Sequence, residues 1–374
     1  MKYDVIIVGA GPGGSTAALV LSRAGKRTLV LERSIFPRSK VCGYSLNPRC
    51  WPIFQKYGLM QRFNQLPHFD IGGFTLEQEG TPIVRHSFRA QRTRTVERGV
   101  LDQWLAREAQ EAGAIYRFGV TVKGIVQRCV ETSSGNYEAP IIIGADGRNS
   151  IVARLSHLSH PSEPCGRVAW QAFVDVPSLG DHVHMNVFPE GYYGVNRIDA
   201  TRTNITIVMS AATKATPQEI MHRYLPEATC QPWKSVHPIS RRPWEVTNGQ
   251  TWLVGDAARI LEPLTGEGIY SAVASAEMAA QHILSIPEVG VTAAAASYRR
   301  QHRRLYGSRT LVNSMVRWAL EDSLRSTRIM NMLRHFPSAV SHMVEWVQSP
   351  AKPNTQFANG IGLEKPLAYP LFQP

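Results

Sequence analysis

The chain has 374 residues, few cysteines, no metal-ligand spacing and no long apolar run, and each shortage closes off a class of protein. Its five cysteines, Cys42, Cys50, Cys129, Cys165 and Cys230, form no CxxC pair. An odd count argues against a disulfide framework and fits reduced thiols in a cytoplasmic setting. No stretch of about 18 uninterrupted apolar residues occurs, so no membrane-spanning helix is expected. A strand pattern already begins at Tyr3, so no signal peptide is expected ahead of it. His68, His86, His182, His184 and His237 are scattered. His182 and His184 share a strand face but lack a third ligand nearby, so no metal site is expected. Internal repeats and nucleic-acid motifs are missing too, and nucleic acid is not an expected partner. Acidic residues are the scarcer charge, 29 against 41 Lys and Arg, which leaves a formal net charge of +12.

What is present is concentrated at the start. The apolar run Tyr3–Val8 leads into Gly9-Ala10-Gly11-Pro12-Gly13-Gly14, then an alanine-rich segment, then a second apolar run that ends at Glu32, followed by Arg33. Strand, glycine turn, helix and acid-terminated strand are the order a dinucleotide needs. Gly9 permits the tight turn, Gly11 lets backbone approach a pyrophosphate, and Gly14 lets the helix pack closely on the strand. The helix start at Pro12, Gly13 and Gly14 offers N–H groups and a positive dipole end to phosphates. Glu32 is placed to accept hydrogen bonds from a ribose diol.

Three later segments extend the pattern. Val96-Glu97-Arg98-Gly99-Val100-Leu101-Asp102 opens a helix. Ile143-Gly144-Ala145-Asp146-Gly147-Arg148-Asn149-Ser150 and Trp252-Leu253-Val254-Gly255-Asp256-Ala257-Ala258 each end an apolar strand. Acids and bases at the carboxyl ends of parallel strands stand where open α/β sheets bind ligands. With GxGxxG, GADGRNS and GDAA in order, roughly residues 1–285 resemble the FAD-dependent aromatic hydroxylases of the para-hydroxybenzoate hydroxylase type (group A flavin monooxygenases) and their relatives, the geranylgeranyl reductases and flavin halogenases. The resemblance implies FAD as cofactor and transient NADH or NADPH as reductant. It places Arg98 near the FAD phosphates or ribityl chain, Asp146 and Gly147 at the flavin and nicotinamide, and Gly255 and Asp256 at the ribityl chain. Val122 falls in the segment that supplies backbone bonds to adenine; a core valine is the other reading.

Lys40-Val41-Cys42-Gly43 resembles the K-x-C-G segment of the geranylgeranyl reductase branch, which crosses beside the isoalloxazine ring. Gly43 suits backbone passing a flat ligand. Cys42 is either a thiol near the flavin, and so a candidate catalytic residue, or an inert buried cysteine. Pro263-Leu264-Thr265-Gly266-Glu267-Gly268-Ile269 resembles the PLTGEGI of the same branch, whose helix start stabilises negative charge on a reduced ring. Phe188-Pro189-Glu190-Gly191-Tyr192-Tyr193-Gly194-Val195 resembles the FPxGYxW strand that lines the cavity over the flavin, with Val195 where that pattern has Trp. Tyr192 or Tyr193 orients a substrate hydroxyl or shuttles a proton, or both are plain sheet aromatics. The halogenase WxWxIP motif is missing near residues 70–80, so halogenation is not expected.

The expected fold is α/β. A discontinuous Rossmann-like FAD-binding lobe takes residues 1–70, 98–164 and 240–290. An antiparallel substrate sheet takes 71–97 and 165–239, where apolar and polar residues alternate. A helical C-terminal region follows over 291–348, and a proline-rich extended tail over 349–374. The expected activity is that of an NAD(P)H-dependent monooxygenase, hydroxylating an aromatic or hydrophobic substrate through a flavin C4a-hydroperoxide. Two alternatives stay open: a reductase of an isoprenoid, and a maturation flavoprotein that hydroxylates a tryptophan of a partner protein for quinone cofactor biogenesis. Arg85, Arg89, Arg92, Arg94 and Arg98, and again Arg299, Arg300, Arg303 and Arg304, form basic clusters. They suit an acidic protein partner or peripheral contact with an anionic membrane surface, or they are simply a solvated face.

Overall fold

The computed structural model describes residues 2–89, 92–160, 166–176, 180–239, 244–261, 263–320 and 322–348. The proline-rich tail and Cys165 lie outside them.

The strand Val5–Val8 is central in a five-stranded sheet. The order is Thr251–Leu253, Ile141–Gly144, Val5–Val8, Thr28–Glu32, Ile115–Phe118, and every pairing is parallel. All residues of Val5–Val8 and Thr28–Glu32 are buried, because helices cover the sheet and leave no polar face to present. The helix Pro12–Arg23 starts with Pro at its first turn, where a missing N–H costs nothing. It packs beside the helices Arg98–Glu111 and Gly268–Leu284. Val122–Val126, Cys129–Thr132 and Gly135–Glu138 form a small antiparallel meander at the edge of this lobe.

The second lobe is built on an eight-stranded sheet. Its strands include Gly73–Gln78, Thr81–Ser87, Arg167–Asp175, His182–Phe188, Gly191–Arg197 and Thr203–Ser210. It is not wholly antiparallel as expected. His182–Phe188 pairs with Gly73–Gln78 in parallel, since Gly73–Gln78 enters from an earlier part of the chain and not through a hairpin. Alternation then sorts side chains onto two faces. Ala172, Phe188, Tyr193, Val195, Ile205 and Ile207 face the helix Pro217–Tyr224. Ala169, Met185, Val187, Tyr192 and Val208 face the other way.

The C-terminal helices are not a region apart. Val291–Leu320 begins inside the first lobe, with Ala294, Ala295 and Tyr298 buried in its core and the Tyr298 hydroxyl donating to Leu253 O at 2.7 Å. Farther on, Ser323–Arg334 and Pro337–Gln348 place Met330 and Val340 against Leu76, Val84 and Tyr192 of the sheet. These helices thus brace both lobes.

Candidate active site

A cavity lies between the lobes. The first lobe contributes Gly11, Pro12, Gly13, Arg98, Gly147, Arg148, Gly255, Asp256, Gly266 and Gly268; the segment Lys40–Ser45 crosses it; Ala169, Thr206 and Val236 come from the large sheet.

One end is a phosphate cradle. Gly9 has φ +99°, and a methyl there would come within 2.5 Å of Ala145 O. A methyl on Gly14 would stand 1.8 Å from Gly9 O, so this glycine is demanded by packing of helix on strand. Gly11 differs: a methyl there would meet only Arg38 Nη2 at 3.6 Å and Arg98 Nη2 at 3.9 Å. Open space at Gly11 beside two guanidinium groups, at a helix start with no side-chain cap, is a seat for an anion. Arg98 is buried and bound to Asp102 by two hydrogen bonds of 2.8 Å. Burial opposes its charge, but Asp102 and Cys42 together outweigh burial and raise its pKa. Arg38 Nη2 reaches the same Asp102 at 3.2 Å. Its Nε is buried with no hydrogen-bond partner among the described residues, 4.0 Å from Glu32 Oε1. Glu32, at the end of its strand, accepts from Ala10 N at 2.8 Å and Ser34 N at 2.9 Å, which aims the carboxylate back over the glycine turn. Arg33 is exposed. Val122 is buried in the core and does not line the cavity.

Two expected ligand side chains are engaged elsewhere. Asp146 accepts from Ser150 Oγ at 2.6 Å, Ile151 N at 2.7 Å and Val152 N at 3.2 Å. Its carboxylate thus satisfies the start of the helix Ile151–Leu155, and burial raises its pKa against those bonds. The neighbouring Gly147, at φ +85°, and Arg148 meet the cavity instead. Glu267 is buried and turned to Arg49, Oε1 to Nη1 at 3.4 Å, while Gly266 and Gly268 on either side line the cavity. Asp256 does face the cavity, with Arg148 Nε at 3.3 Å from its Oδ2.

The crossing segment brings Lys40, Cys42 and Gly43 together on one wall. Tyr44 N donates to Cys42 Sγ at 3.3 Å. Lys40 is half-buried, and burial, helped by Arg98, lowers its pKa to about 8. The tyrosine expectation fails for Tyr193. It lies on the outer face, its ring 6.2 Å from Phe188 and 6.1 Å from Tyr224, and burial raises its pKa. Tyr192 is on the inner face but is packed among Val187, Val208 and Ile239 and does not line the cavity. Val195 shares Tyr193's outer face, and the seventh place counted along FPxGYxW from Phe188 is Gly194, whose added methyl would sit 2.9 Å from Met185 Sδ. In the first arginine cluster Arg94 pairs with Asp70, Arg92 with Asp181, and Arg98 is buried, while Arg85 and Arg89 are exposed. Of the second, Arg299 donates to Thr247 O, while Arg300, Arg303 and Arg304 are exposed.

Sequence reasoning passed over Lys40, Arg38, Asp102, Arg148 and Thr206. Asp102 had a signal, its i,i+4 spacing from Arg98. Thr206 had none, since only tertiary packing brings its strand over the cavity.

A model of the FAD binding domain matches residues 2–305. The chain is 27% identical to Menaquinone reductase of Mycolicibacterium smegmatis, over 76% of this chain and 77% of that protein. It is 26% identical to Geranylgeranyl diphosphate reductase of Rhodobacter capsulatus, over 82% of each. Against Conditioned medium factor receptor 1 of Dictyostelium discoideum the identity is 27%, and the chain spans 62% of that protein's length. Among solved structures, flavin-dependent brominase Bmp2 superposes with a TM-score of 0.78 at 18% identity, covering 93% of this chain and 94% of that one. P. aeruginosa PqsL in complex with 2-aminobenzoylacetate gives 0.75 at 18%, covering 87% and 98%; at such identity these two show a shared fold. The cradle fits the cofactor, because the open space at Gly11, the Arg98 charge and the unpartnered Arg38 Nε are what a diphosphate would take up. The chain belongs to the FAD binding domain family and is an FAD-dependent oxidoreductase.

Proposed function

We propose that the protein is an NAD(P)H-dependent monooxygenase that hydroxylates a hydrophobic aromatic substrate. The observation that carries this reading is Lys40 on the cavity wall, with its pKa lowered to about 8. Electrophilic oxygen attacks a phenolate faster than a phenol. An ammonium facing the ring's hydroxyl favours the phenolate, and a pKa near the working pH suits it to take part in the proton's transfer. Reduced by NADH or NADPH, bound FAD would supply the oxygen-activating chemistry. The chain's own residues do the rest. Arg98 and the Gly11 cradle would hold the diphosphate and Asp256 the ribityl chain, and the N-terminus of Gly268–Leu284 would favour negative charge on a bound ring. Ala169 and Val236 give the substrate an apolar wall and Thr206 a single hydroxyl.

Cys42 favours a second reading, reduction of an isoprenoid double bond. Its thiol shares the cavity wall, and both Menaquinone reductase and Geranylgeranyl diphosphate reductase are relatives over three quarters of the chain or more. One experiment separates the two. The holoenzyme is reduced anaerobically with NADPH or NADH, then given labelled dioxygen with either a long-chain alkylphenol or a geranylgeranyl compound. A labelled oxygen atom in the phenol supports the monooxygenase. Addition of two hydrogens to the isoprenoid, with no label in either compound, replaces it with the reductase.

A further inference from the structure

The last three helices carry a set of large apolar side chains that are exposed. Met315 and Trp318 stand at i,i+3 on the helix Val291–Leu320. Leu324 and Met332 lie on one stripe of Ser323–Arg334, with Arg328 between them at the i+4 place. Phe336 follows, and Met343 and Trp346 repeat the i,i+3 spacing on Pro337–Gln348. All are exposed, Leu324 at 70%, Trp318 at 55% and Trp346 at 42%.

These side chains point away from the same layer. Ser323–Arg334 buries Met330 and Pro337–Gln348 buries Val340 on one face of the large sheet, so the opposite sides of both helices turn outward together. Trp318 joins them, because Arg325 stacks on its ring at 4.2 Å and donates to its backbone oxygen at 2.6 Å. The outward chemistry is mixed in one particular way. Tryptophan, phenylalanine, leucine and methionine alternate with the exposed arginines Arg317, Arg328 and Arg334. Among the described residues of these helices, the acids have partners within the protein: Asp322 Oδ1 caps a helix start through Arg325 N, and Glu345 accepts from His86 and Arg89. Farther along the first of these helices, Arg300, Arg303 and Arg304 are exposed as well.

We infer that these helices dock the protein on an anionic lipid bilayer, lying in its interface. Exposed apolar patches on this scale mark interaction surfaces. Charge complementarity selects the occupant: a chain of net charge +12, with arginines at the rim of the patch, is attracted to an acidic headgroup layer and repelled by a second copy of itself. Tryptophans at the edge of an apolar face suit the depth where headgroups meet acyl chains. No helix among the described residues is long and apolar enough to cross a membrane, so the contact is a surface one. The inference does not depend on which reaction the cavity performs.

The test mixes the full-length holoenzyme with vesicles of phosphatidylcholine alone or of phosphatidylcholine with phosphatidylglycerol. Sedimentation with the anionic vesicles, and its loss at salt on the order of 0.5 M, is expected. Replacing Met315, Trp318, Met343 and Trp346 with Ser should lower anionic-vesicle binding about tenfold or more, with FAD content unchanged. Should that variant fold poorly, Trp318→Phe with Trp346→Phe keeps the surface apolar and reads a different signal. Brominated lipid should quench tryptophan fluorescence in the wild type and much less in this variant. Wild-type protein that ignores anionic vesicles overturns the inference, as does quenching unaffected by the two Phe substitutions. A dimer that the Ser variant converts to a monomer also overturns it, by assigning the face to a second copy.

Discussion

Arg148 Nε and Asp256 Oδ2 stand 3.3 Å apart, joining the turns that follow two neighbouring parallel strands, Ile141–Gly144 and Thr251–Leu253. The pair ties two sequence motifs more than a hundred residues apart into one wall of the cavity. Asp256→Ala should therefore act twice, by removing an acceptor for the cofactor and by removing the carboxylate that pairs with Arg148, which keeps its bond to Pro238 O. FAD affinity is expected to fall by about 1–3 kcal/mol, the scale of a hydrogen bond to a charged group. Arg148→Ala should cost less, since it leaves the Asp256 carboxylate in place. Titration of each apoprotein with FAD measures both, and equal losses would show that the carboxylate does not touch the cofactor.

The two glycines of the turn should fail differently. Gly14→Ala forces a methyl toward Gly9 O, 1.8 Å from its built position, so helix and strand must separate. A stability loss of about 1–3 kcal/mol or more is expected, read as a lower melting temperature of the apoprotein. A Cβ at Gly11 meets only the ends of two arginine side chains, so Gly11→Val should fold, yet its branched side chain fills the approach to the cradle. That variant should melt like wild type and bind little FAD. A Gly11→Val protein that keeps full FAD would remove the diphosphate from this position.

Much of the nucleotide lobe was legible because its constraints are local. A positive φ, a strand buried on both faces and a helix start each leave a mark within a few residues of sequence. Partnerships at long range leave none. Glu267 meets Arg49, 218 residues away, and so a glutamate between two cavity glycines is itself turned from the cavity wall. Asp146 met the sequence pattern for a ligand, but the same spacing suits a helix start, and the helix has its carboxylate. In the sheet, alternation foretold strands well and foretold faces poorly. Which of Tyr192 and Tyr193 turns inward depends on which layer the strand meets, and the helix Pro217–Tyr224 decides that by covering Tyr193.

His302 gives the protein a defined weakness to acid. It is 3% exposed between the rings of Tyr298 and Tyr306, at 5.6 and 4.7 Å, and burial lowers its pKa from 6.5 to about 3. The unfolded chain takes a proton at this residue below pH 6.5, and the folded one does not until about pH 3. Folding stability must fall as pH drops through that window. His302→Phe keeps a ring in place and removes the titration. Between pH 7 and pH 5 the wild type should lose about 1–2 kcal/mol more than the variant by urea unfolding. Parallel losses would mean that His302 titrates in the fold as it does in the unfolded chain.

Lys40 carries a signature of the same sign on the alkaline side. Burial depresses its pKa from 10.5 to about 8, so between those values the unfolded chain holds a proton that the folded one has released. The cost of burying the ammonium is fully present below about pH 8 and relieved as pH rises toward 10.5. Lys40→Met, which never bears that cost, should make the apoprotein more stable than wild type at pH 7, with the advantage shrinking through this window. Catalysis should move the other way. If the ammonium holds the substrate's phenolate, turnover of the wild type declines as pH rises through about 8, and Lys40→Met is slow with that limb gone. Lys40→Arg, charged across the whole range, should restore part of the rate and carry it to higher pH. A wild-type alkaline limb that persists unchanged in Lys40→Met would assign it to another group and leave Lys40 as part of the cavity wall alone.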